Sequence, residues 1–318
     1  MELQIVRFFQ SLSCGFLDVL FKIINVFGED LFFYLAFFAV YWVYSKSYAF
    51  KMMFVYLGSC GFNKVFKGLV KRPRPEGALD SGYSFPSGHA MSYATVSTLL
   101  VYETKRTGAL KTTWKKVDMW CEYILMGVLV AISRMYFGAH YLTDVIAGLL
   151  IGSFFTVAII YVLDWLVDKL KGKIKWELVL LCLIPVVLAI YFVVVFTNLI
   201  SDVDTLEKVY RFIGMFLAIA VGYFIDKKWI KYDGSKETMK NKITKVVIGL
   251  GVMIVAYVLL ISKKSIDFKT SIYYFVLGLF ATTILPWIFK TINDDPKKVE
   301  ATTDVEESKN DGKDNESK

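Results

Sequence analysis

The stretch that decides the fold is Val145–Val167, with the sequence VIAGLLIGSFFTVAIIYVLDWLV and a single charged residue, Asp164. A helix of this length crosses the hydrocarbon core of a bilayer, which needs about 20 apolar residues. The whole chain has 318 residues and is 56% hydrophobic, and its charged residues gather in short clusters between apolar runs. This pattern is typical of a polytopic membrane protein and differs from that of a soluble domain.

Eight further apolar runs predict helices on either side of this stretch. They are Leu31–Tyr44, Ala49–Val65, Ala90–Tyr102, Met119–Ser133, Leu178–Leu199, Val209–Ile225, Ile243–Ile261 and Ile272–Phe289. Several runs are shorter than a bilayer is thick, so we expect their helices to extend into the polar flanks. The predicted fold class is therefore all-α, a polytopic integral membrane helix bundle of about nine spans.

The two ends of the chain differ from its middle. In residues 1–28 the polar side chains recur at steps of three, four and seven, which places them in one narrow stripe on an otherwise apolar helix. We interpret residues 1–28 as an amphipathic helix lying in the membrane interface, with a first spanning helix as the alternative. Residues 293–318 contain almost no apolar side chains, so we expect a disordered charged tail.

The cysteine and charge patterns argue against several function classes. The four cysteines are scattered and form no CxxC pair, which argues against a zinc site and against a disulfide framework. The net charge of +8 comes mainly from Lys and Arg in short loops, where these residues set membrane orientation rather than bind nucleic acid. Histidine occurs only twice, as His89 and His140, and both fall within the motifs described next.

Three short motifs lie in loops that the span assignment places on one face of the membrane. The first is KGLVKRPRP, from Lys67 to Pro75, and the second is PSGH, from Pro86 to His89. The third is SRMYFGAHYLTD, from Ser133 to Asp144. Because they share one face, we expect the three motifs to build one site.

The motifs contain groups that bind phosphate. Lys67, Arg74 and Arg134 bring three cations to one face, and the planar fork of arginine matches phosphate oxygens. Ser87 and Gly88 precede an apolar helix, and the backbone N–H groups at a helix N-terminus bind anions. Together these groups would neutralise a phosphoryl group and the charge that develops on it during transfer.

The same motifs supply a nucleophile and an acid. His140 and Asp144 are four residues apart, so on a helix they share one face. A carboxylate bonded to one ring nitrogen fixes the tautomer and makes the other nitrogen a better nucleophile. His89 is then available to protonate the departing oxygen as general acid. The sequence shows no Asp/Glu cluster with magnesium-ligand spacing beside these groups, so we expect a mechanism without a metal or other cofactor.

The motifs K-x6-RP, PSGH and SR-x5-H-x3-D make the chain resemble the type-2 phosphatidic acid phosphatase superfamily at every defining position. The resemblance covers roughly Leu31–Leu199, and it implies a six-helix phosphatase core, here residues 29–200, with a phosphohistidine intermediate. By motif position it implies that His140 is the nucleophile, Asp144 its partner and His89 the acid. It also implies that the phosphate is held by Lys67, Arg74, Ser87, Gly88 and Arg134. Residues 201–292 lie outside the resemblance, and we predict about three additional transmembrane helices there.

These observations predict a membrane phosphatase that hydrolyses lipid phosphate monoesters or lipid diphosphates, such as phosphatidic acid or undecaprenyl diphosphate. Its partners would be the lipid phosphate and the surrounding membrane lipids. An alternative keeps the site but passes the phosphoryl group to another lipid or sugar, as a phosphotransferase does. Vanadate-dependent haloperoxidases have a similar site. Those enzymes are soluble, so the predicted membrane spans argue against this assignment. An anion transporter would leave the pairing of His140 with Asp144 unexplained.

Loop charge predicts the orientation of the site. The four loops on the side opposite the motifs contain eighteen Lys and Arg residues, and such loops remain in the cytoplasm under the positive-inside rule. We therefore expect an integral protein of a bacterial cytoplasmic membrane whose active site faces the extracytoplasmic side. Lys71 and Arg72 lie within the first motif between its Lys67 and Arg74, and we interpret them as solvated or headgroup-facing charges. Asn63 and Lys64 are equally compatible with a polar helix contact and with support of the site.

Overall fold

A computed structural model describes residues 1–78, 82–108, 112–169, 203–261 and 268–293. These residues are helical wherever they have regular structure, which confirms the predicted all-α class. The chain divides into two compact units, one of residues 1–41 and 45–181 and one of residues 42–44 and 182–318. The predicted span Leu178–Leu199 and the predicted tail after Asn293 lie outside the described residues.

The first unit contains seven described helices. They are α1 (Glu2–Ser11), α2 (Gly15–Val26), α3 (Asp30–Val43), α4 (Lys46–Val70), α5 (Gly88–Arg106), α6 (Thr113–Tyr136) and α7 (Leu142–Lys169). Helices α4 to α7 contain the predicted apolar runs and extend beyond them into the polar flanks, as expected. Three of their starts carry a hydroxyl cap, because Ser45, Ser87 and Thr112 each accept a bond from the backbone N–H three residues on.

Residues 1–28 form two helices, where the sequence predicted one. The helix axis bends by 120° between α1 and α2. Cys14 between them has an extended backbone, and its N–H donates to the hydroxyl of Tyr136 at 3.3 Å, so a contact with α6 supports the break. The hydroxyl of Ser13 bonds to Asp18 at 3.3 Å across the start of α2. Small polar residues compete with helical hydrogen bonds in this way, which explains why the helix stops here.

Glycines on α7 allow α5 to pack very close to it. A Cβ on Gly148 would lie 2.6 Å from the carbonyl oxygen of Ser87, and a Cβ on Gly152 would lie 2.6 Å from that of Met91. Two small residues four positions apart are a common means of bringing membrane helices together. The contact at Gly148 places the PSGH motif directly against the start of α7.

The second unit contains the C-terminal helices. They are α8 (Val203–Ile225) followed by a π-helical turn (Asp226–Ile230), α9 (Met239–Ile261), and α10 (Lys269–Leu279) joined by a second π-helical turn (Phe280–Ile284) to α11 (Leu285–Asn293). Gly214 and Gly222 on α8 leave space for Ser271 and Thr282. The predicted three additional helices are therefore present, the last as two α-helices joined by a π turn.

Four of the described helices are long and apolar enough to cross a membrane. They are Leu142–Trp165, Leu206–Ile230, Met239–Leu259 and Lys269–Ile292, and the bent pair of α1 and α2 would make a fifth if it forms one span. Helix α3 has 14 residues, and α4, α5 and α6 are long enough but more polar. One end of each of α4, α5 and α6 contributes to the site described next.

Candidate active site

All three motifs meet at one end of the first unit. Helices α4 and α6 end there, and α5 and α7 begin there. The α4–α5 and α6–α7 connections therefore lie at the same end of the bundle. His140 lies in the connection between α6 and α7 and is 2% exposed. Its Nε2 is 3.3 Å from Nη1 of Arg74, and its Nδ1 is 3.7 Å from Oδ2 of Asp144. The structure thus brings the first and third motifs together at one imidazole ring.

The surroundings of His140 keep the imidazole neutral. The pKa of His140 is lowered from 6.5 to about 4, and burial is the largest cause. The positive charges of Arg134, Lys67 and Arg74 also contribute to this lowering, while the carboxylate of Asp144 opposes it. At neutral pH the ring therefore has a nitrogen lone pair available, which a nucleophile requires. Arg134, Lys67 and Arg74 are therefore the cations whose charges act on this ring.

Asp144 is completely buried and oriented from two sides. Its Oδ2 accepts the backbone N–H of Tyr141 at 2.9 Å, and its Oδ1 accepts Nη1 of Arg72 at 2.7 Å. The distance of 3.7 Å to Nδ1 of His140 exceeds hydrogen-bonding range. Asp144 therefore lies on the side of the ring nitrogen opposite Arg74, but His140 precedes α7, so the two residues do not share a helix face as the sequence predicted.

Arg72 is not the solvated or headgroup-facing charge that the sequence suggested. Besides Asp144, its guanidinium contacts Thr143 at 2.6 Å and Glu2, and it lies over the ring of Tyr141 at 4.3 Å. The physical reason is the buried carboxylate of Asp144, because a buried charge requires a hydrogen-bonded partner of opposite sign. Its position in the first motif loop, two residues before Arg74, was the only signal in the sequence.

The three cationic candidates for phosphate binding are each held by a specific acceptor. Arg74 donates to the carbonyl oxygens of Ala139 at 2.8 Å and Gly82 at 3.2 Å. Lys67 donates to the carbonyl oxygen of Tyr83. Arg134 is 4% exposed and donates from Nη1 to Oδ1 of Asn25 at 2.9 Å. These contacts fix the direction of the cations before any substrate binds.

The PSGH motif begins α5 and is bonded to the third motif. The N–H of Ser87 donates to the carbonyl oxygen of Asp144 at 2.9 Å, while its buried hydroxyl caps α5 at 3.5 Å from the N–H of Ala90. Asn63 donates to the carbonyl oxygen of Pro86 at 3.2 Å, which favours support of the site over a plain helix contact. A Cβ on Gly88 would make an ordinary contact at 3.6 Å from Oδ1 of Asn63, so the structure leaves room for a side chain there.

His89 lies in the first turn of α5, and its backbone is covered by Gly28. A Cβ on Gly28 would lie 2.7 Å from Cβ of His89 and 2.9 Å from its carbonyl oxygen, so no larger residue fits. Its role as general acid remains a prediction. In the described part of the chain, no group of three or more His, Cys, Asp or Glu side chains is placed to hold a metal ion.

Comparison with known proteins identifies the family. Residues 47–168, which contain all three motifs, match the model of the PAP2 superfamily. Residues 210–295 match the model described as PAP2 superfamily phosphatase, transmembrane extension. The chain belongs to the PAP2 superfamily. The second match also accounts for the C-terminal helices that the sequence resemblance left unexplained.

Two relatives with named activities match part of this chain. Phosphatidylglycerophosphatase B of Bacillus subtilis is 40% identical over 96 residues, which is 28% of this chain and 45% of the relative. Undecaprenyl-diphosphatase of Sulfolobus acidocaldarius is 37% identical over 92 residues, 29% of this chain and 37% of the relative. The chain thus matches less than half of the length of each of these two relatives.

A solved PAP2-type structure is also similar. It is the transmembrane phosphatidylglycerolphosphate phosphatase from Bacillus subtilis, with 26% identity and a TM-score of 0.43, and the match covers 55% of this chain and 86% of that one.

Proposed function

We propose that this PAP2 protein is a membrane phosphatase that hydrolyses lipid phosphate monoesters or lipid diphosphates, with His140 as the nucleophile. The observation that carries the proposal is the neutral, buried imidazole of His140. Its Nε2 lies beside Arg74, and its Nδ1 faces Asp144. Such a ring is a nucleophile aimed at a site for phosphate, because the charges around it would attract phosphoryl oxygens.

The reaction then takes two displacements. Nε2 of His140 forms a bond to phosphorus while the bond from phosphorus to the lipid oxygen breaks, and His89 donates a proton to that oxygen. The ring becomes a phosphohistidine, whose positive charge and Nδ1–H are stabilised by Asp144. Water then attacks phosphorus as its bond to Nε2 breaks, and His89 takes up the proton of the water. Lys67, Arg74 and Arg134 hold the phosphoryl oxygens in both steps, so the proposal requires no metal.

A lipid substrate is supported by the place of the site in the bundle. The reactive groups lie where four helices begin or end, and α7 runs from Asp144 directly into an apolar span. A headgroup phosphate could therefore occupy the site while its acyl or prenyl chains remain in the bilayer. The named activities of the two relatives are of the same chemical class.

We also propose that the site faces away from the cytoplasm of a bacterial cell. Lys105 and Arg106 end α5 at the end of the bundle opposite His140. Under the positive-inside rule, a loop rich in such residues stays in the cytoplasm. The orientation would give the enzyme access to lipids of the outer leaflet.

Phosphate release from purified protein tests the proposal. We expect free phosphate from phosphatidic acid or undecaprenyl diphosphate in detergent micelles, and none from a soluble sugar phosphate. His140→Ala should abolish the release while the protein stays folded. If phosphate appears only on an added acceptor lipid or sugar, the protein is a phosphotransferase and the hydrolase assignment is wrong.

A further inference from the structure

The pair of helices α1 and α2 lies outside the residues that match the PAP2 domain, yet it contacts the site at several points. Asn25 bonds to Arg134, Glu2 bonds to Arg72, and Gly28 follows α2 and covers His89. The pair is anchored by apolar packing, since Phe21 and Ile24 belong to a buried cluster with Val130 of α6. These contacts lie within the first unit, so they describe one compact body.

The contact of Asn25 with Arg134 bears on phosphate binding. Oδ1 of Asn25 accepts from Nη1 of Arg134 at 2.9 Å, in a site where the guanidinium is 4% exposed. Arg134 has a long, flexible side chain, and an acceptor of fixed position restricts it to one orientation. Asn25 has this fixed position because it lies on α2 directly after the buried Ile24.

A second chain of contacts leads from Glu2 to Asp144. Oε2 of Glu2 accepts from Nη2 of Arg72, and Nη1 of Arg72 donates to Oδ1 of Asp144 at 2.7 Å. Oε1 of Glu2 accepts from the hydroxyl of Thr143 at 2.6 Å. Glu2 therefore fixes both Arg72 and the start of α7, and through Arg72 it sets the orientation of the Asp144 carboxylate.

We infer that the α1–α2 pair is a working part of the active site, in which Asn25 positions Arg134 and Glu2, through Arg72, positions Asp144. This inference rests on the proposed function and adds three positioning residues to it: Glu2, Asn25 and Arg72. In the proposed reaction, Arg134 stabilises the negative charge that develops on the phosphoryl oxygens. Asp144 accepts a hydrogen bond from Nδ1–H of the phosphorylated ring. Loss of either orientation weakens binding of the transition state more than it weakens the fold.

The first test is Asn25→Ala with Lys22→Ala as its matched control, because Lys22 lies one turn earlier on the same helix and is exposed. Hydrogen bonds to charged groups are strong enough that we expect a loss of about tenfold to a hundredfold in kcat/KM. The inhibition constant of vanadate should rise by a similar factor, because vanadate imitates the five-coordinate transition state of phosphoryl transfer. A purely structural defect would reduce the amount of active enzyme and leave that constant unchanged.

The second test is a double-mutant cycle between Glu2 and Arg72. If Glu2 acts through Arg72, Glu2→Ala should lower kcat about tenfold in the wild-type background. In the Arg72→Ala background the same substitution should lower kcat no further. If Glu2 only anchors α1, its loss should be the same in both backgrounds. Arg7→Ala is the matched control, since Arg7 lies on α1 and its exposed guanidinium pairs with the exposed Glu76 at 3.4 Å.

The outcomes separate this inference from the proposed function. Wild-type protein that releases no phosphate from any lipid phosphate would refute the proposed function itself. A different result would overturn the role of Asn25: the wild-type protein is active, and Asn25→Ala equals Lys22→Ala both in kcat/KM and in the inhibition constant of vanadate. If Asn25→Ala does not fold, Asn25→Ser keeps a polar side chain of shorter reach and is read by the same two measurements.

Discussion

Substitution of Gly148 by alanine tests whether the close packing of α5 on α7 sets the geometry of the site. The added Cβ would lie 2.6 Å from the carbonyl oxygen of Ser87 and 3.0 Å from Cβ of Ala90. An ordinary contact between carbon and oxygen begins near 3.4 Å, so the start of α5 must move by about 0.8 Å. The backbone atom in conflict cannot rotate away, as a flexible side chain could.

This displacement acts directly on the groups that we propose to be catalytic. The N–H of Ser87 bonds to the carbonyl oxygen of Asp144 at 2.9 Å, so a shift of α5 separates the PSGH motif from the third motif. Misplacement of reacting groups by about 1 Å can lower the rate about a hundredfold, equivalent to about 2.7 kcal/mol of transition-state stabilisation. Overpacking should cost a further 1–3 kcal/mol or so of folding stability.

The assay is phosphate release by purified Gly148→Ala, together with its thermal unfolding in detergent. Gly61→Ala on α4 is the control, because a Cβ there would meet nothing within 4 Å. We expect the control to keep wild-type activity and Gly148→Ala to lose about a hundredfold in kcat. Activity of Gly148→Ala within about threefold of wild type would show that the distance between α5 and α7 does not control catalysis.

Three further predictions concern metal, pH and topology. Activity should persist in excess EDTA and be inhibited by vanadate, and restoration of a chelated enzyme by magnesium would contradict the metal-free mechanism. Because the pKa of His140 is lowered from 6.5 to about 4, the unfolded chain binds more protons between these values, and stability rises with pH through that window. The apparent Tm of wild type should therefore fall further than that of His140→Gln on acidification from about pH 7 to about pH 4, and equal falls would disprove the shift. In a cysteine-free background, a membrane-impermeant thiol reagent applied to intact cells should label Glu76→Cys and spare Thr107→Cys, and the reverse labelling would place the site in the cytoplasm.

The general plan of the site could be predicted from the sequence, because the alternation of apolar runs brings all three motifs to one face. Lys67, Arg74 and Arg134 lie near His140 for this reason. The carboxylate of Asp144 lies beside the ring although His140 precedes α7, so the predicted shared helix face is not what brings them together. The extension of the helices into polar flanks also followed from length alone.

The supporting contacts could not be predicted, because they join residues that are distant in sequence. Arg72 looked like a surface charge, since the sequence does not reveal that a buried carboxylate and Glu2, 70 residues away, would bind it from two sides. The polar stripe of residues 1–28 was visible, but its periodicity continues through the break at Cys14. That break depends on a bond to Tyr136 of α6, which is a tertiary contact.

The central claim is that phosphate is transferred through His140, and rapid quenching during turnover tests it most directly. Purified protein would be mixed with a lipid substrate labelled in its phosphate and quenched in alkali within the first turnover, because a phosphohistidine is stable in base and labile in acid. We predict base-stable label on wild-type protein, located at His140 by peptide mapping, and no label on His140→Ala. Label that persists in His140→Ala, or phosphate release by the wild type without any labelled protein, would contradict the phosphohistidine mechanism.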